Sequence, residues 1–312
     1  MKLRDNFILI LSLAGLTLTG CLEMELKVQP NHAAVGSTFS ATTEVIQTNN
    51  DGERAMLFAV NKPEDWTINS VSFYSPQQGD GDLSILGNES DASLTGSAGI
   101  DEGWEDSLEV NHPSDEGSHW SVYISNAAAS SSASEESPDT FHVTVNYTVG
   151  SNEGLHHLGY WVSYDSNDDP DSEDNTSYDS GPVTAYDPST SSLVTFTVDD
   201  QTWLKNDIRV KGSMSDWALF HAYDDGTRGD ATADDHIWTA QYAVITDGDY
   251  EWGAIDTDNG DGTTCEACDG TDGWGTWLID GSNQQFSVSG AEASGTVDYV
   301  IPPDMAVTEG VV

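Results

Sequence analysis

The residues best suited to chemistry are aspartates that crowd two predicted turns in the C-terminal third of the chain. Calcium binds several carboxylate and carbonyl oxygens from flexible loops, so both turns are candidate calcium sites. The second turn, Asp256 to Gly262, lacks the third acidic ligand and the later glutamate of an EF-hand. In the alternative, the aspartates only accept hydrogen bonds from amides of their own turns. The candidate metal ligands lie in the first turn: Asp224, Asp225, Asp230, Asp234 and Asp235.

Two cysteines, Cys265 and Cys268, are separated by two residues. A structural zinc site needs four ligands, and the sequence offers no second pair at this spacing. A redox role would need a thioredoxin-like context, which the flanking residues do not supply. We therefore predict a disulfide that closes a small surface loop in an oxidising compartment, with zinc and redox chemistry as the alternatives.

The sequence predicts no enzymatic activity and no catalytic residue. It contains no G-x-S-x-G, no H-E-x-x-H and no glycine-rich phosphate loop. His156 and His157 are adjacent, so on a strand they point to opposite faces and do not act as a pair. Carboxylates are so numerous that no two stand out as general acid and base.

The charge balance excludes several partners. The chain has 54 acidic and 9 basic residues, which gives a formal net charge of -45. Phosphate backbones and anionic lipids are repelled, so we expect no nucleic acid partner and no membrane contact through a basic patch. Aspartate-rich turns fit an exported protein in a salty or calcium-containing medium, where ions screen charges over about 8–10 Å. We expect added salt or calcium to raise the stability.

The strands that position these residues follow from alternating apolar and polar residues. In the clearest run, five apolar residues share one face: Phe141, Val143, Val145, Tyr147 and Val149. Polar clusters rich in glycine, aspartate, serine and proline separate such runs and read as turns. This pattern predicts an all-β chain built from β-sandwiches, with a polar linker near Pro188 between two domains.

The N-terminus reads as an export signal. Lys2 and Arg4 precede the apolar stretch 7–18, which is too short to span a bilayer comfortably. The following residues, Leu18 to Cys21, resemble the lipobox of bacterial lipoproteins, with an ordinary signal peptide as the alternative. The resemblance implies cleavage before Cys21, a lipid on that cysteine, and delivery to the periplasmic or cell-surface face of the outer membrane. The predicted organisation is a signal peptide at 1–20, domains at 21–187 and 192–302, and a tail at 303–312.

Both domains resemble known β-sandwich families. The segment 26–47 resembles the opening of bacterial Ig-like domains. The segment 194–252 resembles starch- and glycogen-binding carbohydrate-binding modules in its Gly-x-x-x-x-Trp turn ending at Trp217 and its Gly-x-Tyr-x-Trp strand ending at Trp252. The resemblance implies that Trp217 and Trp252 stack on sugar rings, with core packing as the alternative. Trp274 and Trp277 lie in a glycine-rich loop, and we expect them to be exposed and to add to the same platform.

These features predict two Ig-like β-sandwich domains that follow a lipoprotein signal peptide. The predicted function is noncatalytic binding of polysaccharide by a lipid-anchored envelope protein, with no resident cofactor apart from possible calcium. The alternative is a structural or adhesion protein whose Ig-like domains bind an envelope protein partner or assemble with one another. Loss of binding to glycans in variants of the candidate tryptophans separates the two.

Overall fold

The computed structural model describes residues 22–48, 54–88, 103–129, 137–164, 176–257, 276–279, 282–289 and 296–301. Nearly all of its regular structure is β, which confirms the predicted all-β class. Cys21, Cys265, Cys268, Trp274, the signal peptide and the tail lie outside these residues. In the part of the chain that the structure describes, no helix is long and apolar enough to cross a membrane.

In its described residues, the N-terminal region, which we call domain one, has ten strands and one helix. They are β1 (Leu22–Val28), β2 (His32–Ala34), β3 (Thr38–Gln47), β4 (Arg54–Pro63), β5 (Thr67–Ser75), β6 (Gly79–Ile85), α1 (Trp104–Asn111), β7 (Ser118–Ala129), β8 (Asp139–Thr148), β9 (Gly154–Tyr164) and β10 (Ser177–Tyr186). The strands form one sheet in the order β1-β3-β8-β5-β6-β7-β4-β9-β10-β2, in which only β10 and β2 pair in parallel.

This sheet curves round so that β1, at one edge, contacts β10 near the other edge. The backbone N–H of Met24 in β1 donates to Ser177 Oγ of β10 at 2.9 Å, and that of Leu26 donates to Asp179 Oδ2 at 2.6 Å. The enclosed core takes side chains from both halves of the sheet. The predicted inner face of β8 is confirmed, because its four apolar side chains and that of Val149, which follows the strand, are at most 2% exposed. The alternation of apolar and polar residues along β8 therefore places its apolar side chains in this core, as expected.

A short helix adds a second apolar layer that the sequence pattern did not predict. Helix α1 places Trp104 and Leu108, one turn apart, against the outer face of the sheet. There they pack with Trp120 of β7 and Trp161 of β9, and all three indoles are at most 2% exposed. The helix was missed because eight residues are too few to show a sustained helical period. These tryptophans stabilise domain one and are not available to a ligand.

The described residues of the C-terminal region, which we call domain two, form eight strands. They are β11 (Ser192–Asp200), β12 (Ile208–Gly212), β13 (Phe220–His221), β14 (Ile237–Val244), β15 (Gly248–Asp256), β16 (Thr276–Trp277), β17 (Gln284–Val288) and β18 (Thr296–Ile301). One sheet has the order β14-β11-β18, and the other has the order β13-β12-β15-β16 with β17 also pairing with β15. Phe196 of the first sheet packs on Trp252 of the second, with ring centroids 5.0 Å apart.

Polar contacts join the two domains. Hydrogen bonds that cross between the described parts of the domains include Asn31 Nδ2 to the His221 carbonyl at 3.1 Å, His32 Nδ1 to the Gln241 carbonyl at 3.3 Å, and Tyr223 Oη to the Gln29 carbonyl at 3.4 Å. Burial lowers the pKa of His32, and burial followed by the charge of Arg209 lowers the pKa of His221 to about 4. A lowered pKa favours the neutral form of both imidazoles.

The direction of β1 separates its first residue from domain two. Leu22, the residue after Cys21, is the first residue of β1 and is buried in the core of domain one. The strand then runs for seven residues, about 23 Å at the usual rise, and the segment after it supplies Gln29, Asn31 and His32 to the interface. Leu22 and domain two therefore lie at opposite ends of β1.

Candidate functional site

Three of the five predicted metal ligands lie together on domain two. Carboxylate oxygens of Asp224, Asp230 and Asp235 all lie within 4.8 Å of one another. Calcium holds its oxygen ligands at about 2.3–2.6 Å, so oxygens bound to one ion are up to about 5 Å apart. The three carboxylates fit an ion of that size.

The same carboxylates also stabilise the turn in which they lie. The side chain of Asp224 accepts hydrogen bonds from the backbone N–H groups of Asp235 and His236 at 3.0 and 3.1 Å, and Asp230 accepts one from Gly226 at 2.6 Å. Burial, with a further contribution from the charges of Asp230 and Asp235, raises the pKa of Asp224. These hydrogen bonds are those expected if the aspartates only cap the amides of their own turn. Calcium binding therefore stays a prediction.

The other two predicted ligands are used elsewhere or point away. Asp225 accepts hydrogen bonds from Thr227, and its second oxygen lies 3.2 Å from Arg228 Nη1. Asp234 is exposed and lies outside the three-carboxylate cluster. The structure therefore narrows the candidate metal site to Asp224, Asp230 and Asp235.

Trp252 is not a sugar-stacking residue, and that prediction was wrong. Its side chain is 0% exposed and belongs to the core of domain two beside Phe196 and Ala254. The reason is the pleat of β15, in which Trp252 and Ala254 share the inward face. A sugar has no access to an indole in this position.

The remaining predicted tryptophans differ in their surroundings. Trp217 is half-buried in the left-handed region at φ 66°, after the 3-10 turn Ser213–Ser215. Trp277 is half-buried, and its ring covers Gly253, where an added Cβ would lie only 2.1 Å from the indole. Glycine at position 253 is therefore what admits this ring against the strand. The binding roles of Trp217 and Trp277 stay predictions, and Trp274 lies outside the described residues.

An indole that the sequence analysis did not select is the most exposed tryptophan among the described residues. Trp203 is 69% exposed and is followed by Leu204, which is 61% exposed. Both lie in the loop that follows β11, at the end of that strand away from the linker. Singly exposed apolar side chains are common, but two large ones side by side on one loop mark a candidate binding surface.

The buried carboxylate of Asp200 holds this loop in place. Its side chain is fully buried and accepts hydrogen bonds from Thr202 N and Thr202 Oγ1 at 3.0 and 2.5 Å. It also accepts from the backbone N–H groups of Leu204 and Lys205 at 3.2 and 3.0 Å. Four donors converge on one carboxylate, so the loop has little freedom even though its tip is solvated.

The backbone is strained at Trp203 and at His236, the residue on which the Trp203 indole stacks. Trp203 has φ 59° and His236 has φ 63°, which is the left-handed region that costs a bulky L-residue roughly 1–2 kcal/mol. The two rings stack with centroids 4.8 Å apart and planes at 23°. Strain of this kind persists where the surrounding structure demands it, and it gathers at ligand sites.

Comparison with known proteins identifies the family. Residues 17–185 match the family profile described as a domain of unknown function, DUF4961. The chain belongs to this family. The match covers more than half of the chain and ends at the C-terminal part of β10, before domain two. No curated protein sequence is significantly similar to this DUF4961 protein.

Several solved structures resemble the DUF4961 protein weakly. The major pilin subunit BcpA of Bacillus cereus is 9% identical, with 89% of this chain and 69% of the pilin aligned at a TM-score of 0.30. Domains D2 and D3 of the major pilin SpaD of Corynebacterium diphtheriae are 11% identical, with 90% and 98% aligned at 0.31. A cohesin module from a family 33 glycoside hydrolase of Clostridium perfringens is 19% identical, with 54% and 98% aligned at 0.30. At these values the likeness does not extend to function.

One signal in the sequence points to the loop that was missed. Trp203 and Leu204 form an isolated apolar pair within the polar run Asp199 to Asp207 of this DUF4961 protein. A strand or a core segment would continue the apolar alternation, and this pair does not. A tryptophan without an apolar pattern around it in a polar loop is thus a better indicator of exposure than the glycine neighbours by which Trp274 and Trp277 were selected.

Calcium should stabilise domain two if the predicted site is occupied. We expect millimolar calcium to raise its melting temperature above the value in sodium chloride of equal ionic strength, because an ion offsets the repulsion among three carboxylates. Asp230→Asn should remove the increment and Asp225→Asn, outside the cluster, should retain it. Calorimetry measures both, and equal calcium effects in the two variants would contradict this site.

Proposed function

We propose that this protein is a noncatalytic, lipid-anchored envelope protein that works by adhesion. In this proposal Cys21 carries the lipid, domain one is a spacer, and domain two makes contact with a partner away from the membrane. The observation that carries it is the course of β1, which begins beside Cys21 and leads into the interface with domain two.

The interface between the domains supports a spacer role. Gln29, Asn31 and His32 are bonded to main-chain or side-chain groups of domain two, so the connection does not depend on the linker alone. The linker itself is a hydrogen-bonded turn, in which the N–H of Ser191 donates to the Asp187 carbonyl at 3.0 Å. A stiff connection between the domains holds domain two at a fixed distance from the anchor, as adhesion away from the membrane requires.

The charge of the chain supports the same orientation. A net charge of -45 repels the chain from an anionic surface, and contact through a lipid at one end leaves the protein body free to extend. Acyl chains contribute about 0.8 kcal/mol per buried CH2, so a multiply acylated cysteine holds a body of this charge firmly.

Metabolic labelling with palmitate tests the anchor. We expect the wild-type chain, expressed in a bacterium that processes lipoproteins, to incorporate the label and to fractionate with the outer membrane. Cys21→Ser should incorporate none, because the acylated sulfur is gone. Cys265→Ser, which removes a cysteine outside the lipobox, is the matched control and should label like wild type. A wild-type chain without label, or a labelled Cys21→Ser chain, would refute the anchor.

A further inference from the structure

The exposed indole of Trp203 lies at the end of domain two at which two aliphatic side chains are also exposed. Asp199 of β11 pairs with Ile237 of β14 on one side and with Val300 of β18 on the other, so the three side chains share a face. Ile237 is 39% exposed and Val300 is 46% exposed. Trp203 follows Asp199 by four residues and stacks on His236, the neighbour of Ile237. We call Trp203, His236, Ile237 and Val300 the indole surface.

The indole surface is rigid before any ligand arrives. Four hydrogen bonds to the Asp200 carboxylate fix the loop, and His236 supports one side of the indole. The backbone N–H of His236 is bonded in turn to Asp224. A preorganised aromatic group loses little conformational entropy on binding, which is how small platforms gain affinity.

Polar groups at the edge of the indole surface are hydrogen-bond acceptors. Gln201 Nε2 donates to Asp199 Oδ2 at 3.0 Å, and Asp235 Oδ1 accepts the backbone N–H of Ile237 at 3.0 Å. An ionised carboxylate accepts about four hydrogen bonds, so both retain capacity for further donors. A ligand at this surface therefore needs an apolar face for the indole and hydroxyl donors along its edge, and it must not be an anion.

A neutral sugar ring meets these requirements. We infer that the indole surface is a binding site for neutral polysaccharide, with the C–H face of a sugar stacked on Trp203 and its hydroxyl groups donating to Asp199 and Asp235. This rests on the proposed adhesive function and names the ligand class and the residues that contact it. The surface offers one indole and two aliphatic side chains, far less than the roughly 800 Å2 per partner of a stable protein interface.

Affinity electrophoresis of residues 22–312 tests the inference. The probes are amylopectin, mixed-linkage β-glucan, galactomannan and xylan, each cast in a native gel. We expect at least one of them to retard the wild-type chain, and Trp203→Asn to weaken its association about tenfold or more, the loss typical of a central aromatic contact. Asparagine tolerates the left-handed backbone, so the variant should melt at or above the wild-type temperature.

Two further variants and a salt control complete the experiment. Trp203→Tyr keeps an aromatic face and should retain most of the binding, and Ile85→Ala, which alters a 68% exposed residue of domain one, should retain all of it. Retardation should persist in high salt, since a neutral ligand releases no counter-ions. Absence of retardation by all four probes, equal retardation of Trp203→Asn, or capture of a protein in place of polysaccharide would overturn the inference. None of these outcomes bears on palmitate labelling of Cys21, so the two proposals fail separately.

Discussion

Trp252→Ala should destabilise domain two by about 3–5 kcal/mol, the usual cost of deleting a fully buried tryptophan. The indole is 0% exposed and contacts the core residues Phe196 and Ala254. Its removal leaves a large cavity between the two sheets, which the surrounding side chains fill only in part. Urea denaturation of residues 22–312, followed by fluorescence, measures the change in the free energy of unfolding.

Trp217→Ala is the matched control for this experiment. Trp217 is half-buried and lies in a turn at the edge of the core, so its loss should cost clearly less. If Trp252→Ala left the stability unchanged and abolished binding to polysaccharide, the indole would have to be accessible, contrary to its position in the core.

Asp200→Ala should destabilise the chain by about 2–4 kcal/mol and weaken polysaccharide binding as strongly as Trp203→Asn. The alanine removes the acceptor of three backbone N–H groups and one hydroxyl; the Leu204 N–H keeps Thr202 Oγ1 at 3.3 Å, and each partly buried donor left without a partner is costly. The loop then loses its fixed shape, so Trp203 has to be ordered when a ligand binds. Denaturant titration and affinity gels measure the two effects on the same preparation.

Graded substitutions separate the role of the carboxylate from that of its charge. Asp200→Asn keeps one acceptor oxygen and should lie between wild type and Asp200→Ala in stability. Asp199→Asn changes the adjacent, half-buried aspartate, which bonds to Gln201 rather than to the loop backbone, and should leave stability nearly unchanged. Equal stabilities for the two variants at position 200 and wild type would mean that the loop does not depend on Asp200.

The fold follows from the sequence where apolar residues alternate. The inner face of β8 was predicted from period two alone and is buried, and the same alternation buries Val194, Phe196 and Val198 of β11. Helix α1 was not predicted, because a helix of two turns that buries only Trp104 and Leu108 shows too little periodicity in the sequence. Its position depends on contacts with Trp120 and Trp161, which are distant in sequence.

The candidate site follows less directly from the sequence. The clustering of Asp224, Asp230 and Asp235 depends on a turn whose amides bond to the carboxylates, and the separation of Asp225 depends on Arg228. Family resemblance led to Trp252, although alternation along β15 placed that residue inside. Trp203 required knowledge of the loop, because its exposure results from the bonds to Asp200 and from a left-handed backbone that composition does not reveal.

We propose that the lipid on Cys21 and the indole surface of domain two lie at opposite ends of the protein. Resonance energy transfer to acceptor lipids tests this on the acylated chain in vesicles, with a donor fluorophore introduced by an unnatural amino acid. One donor replaces Gln78, in the turn between β5 and β6 near Leu22, and the other replaces Leu204 beside Trp203. We expect efficient transfer from position 78 and little transfer from position 204. Equal transfer from both positions would mean that the protein lies along the membrane and would contradict the spacer role of domain one.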